Sequence, residues 1–326
     1  MGSQCSQCNC DKRGNDIQEC ISIPTGPSKT EKTWLIKSKM AIVIQKYWRS
    51  YRERTKAADH KILCALETDT VESGITINQD DKPRIEKPTF TYKILKARFP
   101  GGATYTGEWR GNSRDGYGIQ IWPDGAKYEG EWKHNKANGR GKFTHVNGDI
   151  YEGEWENDMS NGYGVYQHVA GPKYEGEWFN DKQHGYGIEI WPDGSLYEGY
   201  FQNSYKHGQG KYNWNNGQKY EGDWFQNKIS GKGILIWADG RKYEGDFYFG
   251  NMHGRGIYTW PDGRRYEGLY FNDKKHGFGI YDWGDGRKYE GEWENGKQHG
   301  RGYFSINKKG KYGLWQKGKR ISWEEQ

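Results

Sequence analysis

Five histidines, His184, His207, His253, His276 and His299, each stand directly before a glycine, at intervals of 23 residues or twice that. A recurring row of imidazoles invites a metal reading, because His is a common zinc ligand. Paired acids such as Glu129 and Glu131 also recur and could in principle do general acid–base chemistry, but they face solvent beside Lys and need no catalytic reading. The N-terminus carries a different chemistry. Met1-Gly2-Ser3-Gln4-Cys5-Ser6 satisfies the pattern for N-myristoylation of Gly2. One myristoyl chain binds membranes only marginally, at about 10⁴ M⁻¹, so a second signal is required. Cys5, Cys8 and Cys10 are acceptors for palmitate, with Lys12 and Arg13 as minor electrostatic help. The same cysteines with Cys20 offer a zinc site as the alternative, weakened by the close Cys8/Cys10 pair and the lack of a second C-x-x-C. G-x-G steps run through the chain, but no G-x-x-x-x-G-K-[ST] and no kinase signature set is present.

The chain that must position these residues has 326 of them, only 33% apolar, with a mean hydropathy of −1.15. Those values suggest disorder. Against that stand 16 Trp, 25 Tyr and 11 Phe, together with 48 glycines. Such a chain buries rings rather than aliphatic side chains. No stretch approaches the roughly 18 apolar residues of a membrane span, and the N-terminus has no secretory h-region. An odd set of cysteines (Cys5, Cys8, Cys10, Cys20, Cys64) in that context points to a reducing compartment. The net charge of +6 is focused: residues 29–61 hold ten Lys and Arg against three acids, and residues 62–89 hold three against six.

Tyrosines recur every 23 residues, at Tyr105, Tyr128, Tyr151, Tyr174, Tyr197, Tyr220, Tyr243, Tyr266 and Tyr289. A glycine stands two residues after each, and a ring four after: Trp109, Trp132, Trp155, Trp178, Phe201, Trp224, Phe247, Tyr270 and Trp293. Period-two alternation in Tyr174-Glu175-Gly176-Glu177-Trp178 places Tyr, Gly and Trp on one face and both acids on the other. A second strand is expected after the G-x-G pair, as in Gly187-Ile188-Glu189-Ile190-Trp191. Treating Pro-Asp-Gly as a three-residue turn brings Tyr258 and Trp260, or Tyr281 and Trp283, to the Tyr/Gly/Trp face. The glycines then leave slots for neighbouring rings. On the charged face, Lys or Arg just before the Tyr alternates with Glu after it, as in Lys242-Tyr243-Glu244. The expectation is an all-β repeat: an elongated, twisted single antiparallel sheet of stacked hairpins, about 20 strands and roughly 95 Å long. Phe99-Pro100-Gly101-Gly102 reads as a half-unit ahead of it. At the other end, Lys311-Tyr312-Gly313-Leu314-Trp315 arrives one residue early. Equivalent residues of successive hairpins would lie about 9–10 Å apart, too far for the histidines to share one zinc. They read as turn residues or partner contacts.

Tyr-Glu-Gly-Glu-Trp, the His-Gly-x-Gly step and the Asp-Gly turn together resemble the MORN (membrane occupation and recognition nexus) repeat over residues 91–326. The resemblance implies a non-enzymatic binding or scaffolding platform with no cofactor. Relatives of this kind include membrane tethers, ciliary radial-spoke proteins and regulatory arms of phosphoinositide kinases.

Residues 28–62 are expected to form one basic amphipathic helix. Ser28-Lys29-Thr30-Glu31 is a capping box, and Ile36, Met40, Ile44, Tyr47 and Tyr51 share a face. Within it, Ile44-Gln45-Lys46-Tyr47-Trp48-Arg49-Ser50-Tyr51-Arg52-Glu53-Arg54 resembles an IQ motif, with Ser50 in place of the commoner glycine. That resemblance implies calmodulin or an EF-hand light chain as partner, with Ile44 as apolar anchor, Gln45 as hydrogen-bonding residue, and Arg49 and Arg54 as charge contacts. The alternative is a basic helix lying on anionic lipid or on the repeats. Residues 1–27 read as a flexible acylation-like tail and 63–90 as an acidic linker punctuated by Pro83 and Pro88. Three functions fit this layout: an adaptor tethering a protein partner to the cytoplasmic face of a membrane, a part of a ciliary or cortical cytoskeletal assembly, or a regulatory subunit of a phosphoinositide kinase.

Overall fold

The computed structural model describes residues 92–325. There the chain forms 21 strands, β1 (Lys93–Arg98) to β21 (Lys319–Trp323), in one antiparallel sheet. Each strand pairs with the next in sequence, from β1 through the Tyr174 hairpin to β21. The basic helix, the tail and the linker lie outside the described residues, and so do Gly2, Cys5, Cys8, Cys10, Ile44, Gln45, Arg49 and Arg54.

Two kinds of turn alternate. At Pro192-Asp193-Gly194 the Trp191 amide donates to the Ser195 carbonyl at 2.9 Å, and the Gly194 amide donates to the Trp191 carbonyl at 3.0 Å. This is the expected three-residue turn, with Gly194 in the left-handed region at φ 85°. Its register opposes Tyr258 to Tyr266 and buries Tyr258, Trp260 and Tyr281 on the aromatic face. The same turn precedes the first repeat, where the Phe99 amide donates to the Ala103 carbonyl at 2.8 Å.

The other turn departs from the expectation. Asn180 and Asp181 both have positive φ, 49° and 64°, as a two-residue type I′ turn requires. The second strand therefore begins at Lys182 and runs through the G-x-G step rather than starting after it. Gly176 opposes Gly187 while Trp178 opposes Gln183, so His184, Gly185 and Tyr186 together face the single residue Glu177. Gly185, at φ 61°, takes up this bulge. His184 is thus a strand residue beside a bulge, and the reading of the histidines as turn residues is corrected.

Within the repeats, from the Tyr128 unit on, the second residue of the type I′ turn ties its hairpin to the one before. Asp181 donates its amide to the Ser160 carbonyl at 3.0 Å and accepts the Ser160 amide on Oδ1 at 2.8 Å. Asp158 does the same with Ala137, Asn227 with Lys206, and Asp273 with Met252. Replacing Asn227 with Gly keeps the left-handed turn but removes the side-chain half of this clamp. Asn227→Gly should lower stability by about 1 kcal/mol, read from denaturant midpoints.

Between the turns, the rings form one continuous ladder. Tyr174 meets Trp178 edge-on at 5.2 Å and Phe201 of the next unit at 5.1 Å; Tyr197 meets Phe201 at 5.1 Å and Trp224 at 5.3 Å. The pattern runs from Trp109 to Trp315, which lies 5.0 Å from Tyr289 and fills the Trp place one residue early, leaving Tyr312 exposed. Tyr174 Oη donates to the Glu177 carbonyl at 2.9 Å, and Trp178 Nε1 donates to the Gly164 carbonyl of the preceding hairpin at 3.1 Å. Burying so much ring with its polar tips bonded is how a single-layer sheet acquires a core.

The glycine slots are as expected. A Cβ on Gly176 would lie 2.5 Å from Gly187 Cα, 2.6 Å from the Tyr186 carbonyl and 2.8 Å from Tyr174 Oη. Two of those obstacles are backbone, so Gly176→Val should destabilise by about 3 kcal/mol, at the upper end of overpacking costs. Thermal unfolding of the variant beside wild type checks this.

Candidate binding surface

The face opposite the rings is open. One row crosses it from strand to strand, because Ile188 stands opposite both Glu175 and Glu198, and Ile234 opposite both Glu221 and Glu244. Carboxylates thus recur every second strand, about 9.4–9.8 Å apart, with an aliphatic or basic residue between. The expected Lys–Glu alternation is present as ion pairs within a strand: Lys173 with Glu175 at 2.8 Å, and Lys242 with Glu244 at 2.8 Å. The Lys173 ammonium and the Tyr163 hydroxyl hold the Glu175 carboxyl below the usual range. Tyr186 donates to Glu198 at 2.5 Å, and that bond pushes its hydroxyl up to about 12. These exposed pairs add little to stability; their role is to set a pattern of charge.

The second acid, present in every unit but those of Tyr197 and Tyr266, where Tyr200 and Leu269 take its place, has a different task. Glu177 accepts the bulged Tyr186 amide at 3.0 Å, Asp223 that of Lys232 at 2.8 Å, and Asp246 that of Arg255 at 2.9 Å. This acid therefore satisfies a backbone donor that the bulge takes out of the ladder. Across the hairpins of Tyr220, Tyr243 and Tyr266 the surface dips into a trough of about 760 Å³, lined among others by Glu221, Glu244, Ile234, Ile257, Lys232 and Arg255.

Because the second strand starts early, one residue per unit that sequence reasoning left unassigned points into the ring ladder. Lys206 is one of these. It is 3% exposed, its Nζ lies 2.6 Å from Glu189 Oε2, and it sits 4.8 Å from the ring centres of both Trp191 and Tyr197. Arg114 stacks over Trp132 at 4.3 Å and bonds Gln120, and Lys275 lies 4.2 Å from the Tyr281 ring. The signal that could have located them is the Asn-led pair of the type I′ turn, such as Asn203-Ser204 or Asn272-Asp273, which sets the strand start one residue before Lys206 and Lys275.

The histidines do not converge. Among the described residues, no three His, Cys, Asp or Glu side chains are grouped to hold a metal. His207 packs on Phe225 at 5.2 Å and His253 on Phe271 at 5.1 Å, both on the first strand of the following unit, whereas His184 packs on Phe179 and His276 on Phe271 of their own units.

A stack of identical hairpins with rings locked on one side and a patterned, solvent-open surface on the other defines a repeat scaffold, a class whose work is done by side chains on its face. The chain belongs to the MORN repeat family. The family's repeat matches residues 105–127, 128–150, 151–171, 174–196, 197–219, 220–240, 243–264, 266–286 and 289–308. Comparison with the curated proteins gives no match. Among solved structures, the chain is similar to the TCP domain of Drosophila melanogaster SAS-4 (dCPAP), in complex with a proline-rich motif of Ana2 (dSTIL). The two are 16% identical over 58% of this chain and 96% of that one, with a TM-score of 0.30. A mutant TCP10 domain of Danio rerio CPAP is also 16% identical, over 64% and 99%, with a TM-score of 0.25. Virginiamycin B lyase of Staphylococcus aureus is 10% identical over 65% and 90%, with a TM-score of 0.14. At these scores the likenesses bear no functional argument.

Proposed function

We propose that the chain is a membrane-tethered adaptor: acyl chains on Gly2 and on Cys5, Cys8 and Cys10 hold it at a cytoplasmic leaflet, residues 28–62 load calmodulin or an EF-hand relative, and the sheet recruits a protein partner. The observation behind this reading is the continuous open face of nine repeats, which carries regularly spaced carboxylates and aliphatic side chains and is covered by nothing else in the described residues. The N-terminal patterns supply the other two elements.

Two experiments test the reading. Gly2→Ala should abolish incorporation of labelled myristate and move the protein to the soluble fraction. Replacing Cys5, Cys8 and Cys10 together should weaken attachment while leaving myristate in place. Wild-type protein that takes up no myristate and pellets with a detergent-resistant skeleton would overturn the tether in favour of a cytoskeletal part. Separately, a peptide of residues 28–58 should bind calmodulin saturably in the absence of lipid, and Ile44→Asp should remove that binding by placing a charge in an apolar groove. Arg49→Glu with Arg54→Glu should weaken it in a salt-dependent way. No binding by the wild-type peptide, with or without calcium, would remove the EF-hand partner.

A further inference from the structure

In three of the repeat units the first residue of the type I′ turn is neither asparagine nor glycine: His134 at φ 50°, Gln226 at φ 47° and Phe249 at φ 47°, of which only Phe249 is a large apolar ring. The first residue of the type I′ turn is asparagine at Asn157, Asn180, Asn203, Asn272 and Asn295, a residue that tolerates positive φ. In the Tyr243 unit it is Phe249, held at φ 47° with its ring 42% exposed. A bulky residue in the left-handed region is strained, and strained positions cluster at binding and switch sites. Phe249 also stands within a cluster. Its ring lies 4.7 Å from Tyr248 and 6.0 Å from Phe225; His253 then bridges Tyr248, at 5.6 Å, to Phe271, at 5.1 Å. All four of these Phe and Tyr rings are exposed.

Two lysines stand at the rim of the cluster, and the carboxylates near it are tied to the backbone. Lys228 and Lys274 open the second strands on either side, both exposed, with Lys228 Nζ 5.3 Å from the Phe249 ring. The nearby carboxylates are engaged: Asp223 and Asp246 accept the Lys232 and Arg255 amides, and Asp273 accepts the Met252 amide at 2.7 Å. An exposed contiguous aromatic patch rimmed by exposed lysines marks an interaction site. The patch lies within the sheet, where backbone groups are already paired, so strand addition is unavailable and the ligand must bind through side chains. Phe225, Tyr248 and Phe271 recur on alternate strands, about 9.4–9.8 Å apart. Two turns of an α-helix, about 10.8 Å, match that spacing when the helix lies slightly oblique to the row.

We propose that the patch around Phe249 docks an acidic amphipathic helix of a partner protein, its apolar side chains between the rings and its carboxylates on Lys228 and Lys274. The site depends on neither acylation nor the EF-hand segment.

The test uses the full chain and a fluorescein-labelled helical peptide with leucines on one face and glutamates on the other. Three competitors accompany it: the same peptide with lysine for glutamate, a peptide of residues 65–82 of this chain, and phosphatidylserine/phosphatidylcholine vesicles. The acidic probe should bind wild type saturably and at least tenfold more tightly than its lysine counterpart. Phe249→Asn should lose at least tenfold in affinity while melting at or above the wild-type temperature, because it relieves the strained turn. A residue serving the fold alone would give the opposite pair of results. Lys228→Glu with Lys274→Glu should lose the acidic probe, and Tyr163→Ser, away from the patch, should keep it. Binding unaffected by Phe249→Asn, or no preference for the acidic probe, overturns the proposal. So does tighter binding of the 65–82 peptide, which would make the occupant the chain's own linker. Vesicle binding lost in Phe249→Asn, with no peptide binding, would make the patch a lipid contact and likewise overturn it.

Discussion

Trp178→Ala should lower stability by about 3–5 kcal/mol, the range for truncating a buried tryptophan. The indole touches Tyr151 at 5.1 Å and Tyr174 at 5.2 Å, so its loss interrupts the ladder on both sides. It also removes the donor to the Gly164 carbonyl. Trp178→Phe separates these effects. It keeps a six-membered ring, as Phe201 and Phe247 do in their own units, but loses the indole N–H and part of the ring volume, so about 1–3 kcal/mol of the loss should remain. Glu175→Lys, on the open face, should change stability by no more than about 0.5 kcal/mol. Equal thermal losses for Trp178→Ala and Glu175→Lys would mean that the two faces are assigned the wrong way round.

Glu189→Ala should cost about 3 kcal/mol, because it leaves the buried Lys206 ammonium without its carboxylate. The surrounding rings offset only part of that, since each cation–π contact contributes about 0.5–2 kcal/mol and was present before. The repeat supplies its own control. Two units later the same two places are held by Leu235 and Met252, both almost fully buried. Glu189→Leu combined with Lys206→Met copies that arrangement and should come within about 1 kcal/mol of wild type or exceed it, as apolar replacements of buried ion pairs often do. A double variant as unstable as Glu189→Ala would show that the ion pair is required for the sheet to form.

The aromatic face was legible because its signal is strictly periodic. Tyr174, Gly176 and Trp178 alternate without interruption, and Asp193-Gly194 admits few turn geometries. The second strand was legible only from Gly187 onward. Before it, the bulge at His184, Gly185 and Tyr186 places three residues opposite one, and Asn180-Asp181 was not recognised as a type I′ turn. That concealed Lys206 and Glu189, whose charges argue against burial until the two are seen to face each other. The trough face was legible as charged, but not the tying of Glu177 to the Tyr186 amide, since alternation says which side an acid is on and not what it bonds. Phe249 looked like an ordinary aromatic because its anomaly lies in a backbone angle.

The hydrogen bonds between hairpins also give the sheet a direction. Trp178 reaches back to Gly164, and Asp181 reaches back to Ser160; Trp224 and Asn227 do the same to Gly210 and Lys206. Each unit carries the groups that fasten it to its predecessor, and the first ring of the series, Trp109, has an indole nitrogen with no partner. During synthesis a unit of 23 residues takes about 1–5 s to emerge, whereas a hairpin closes in about 1–10 μs. Every hairpin therefore arrives at a finished edge whose carbonyls and amides are already waiting. The molecule can grow vectorially, one click at a time, without holding a long unpaired sheet in solution.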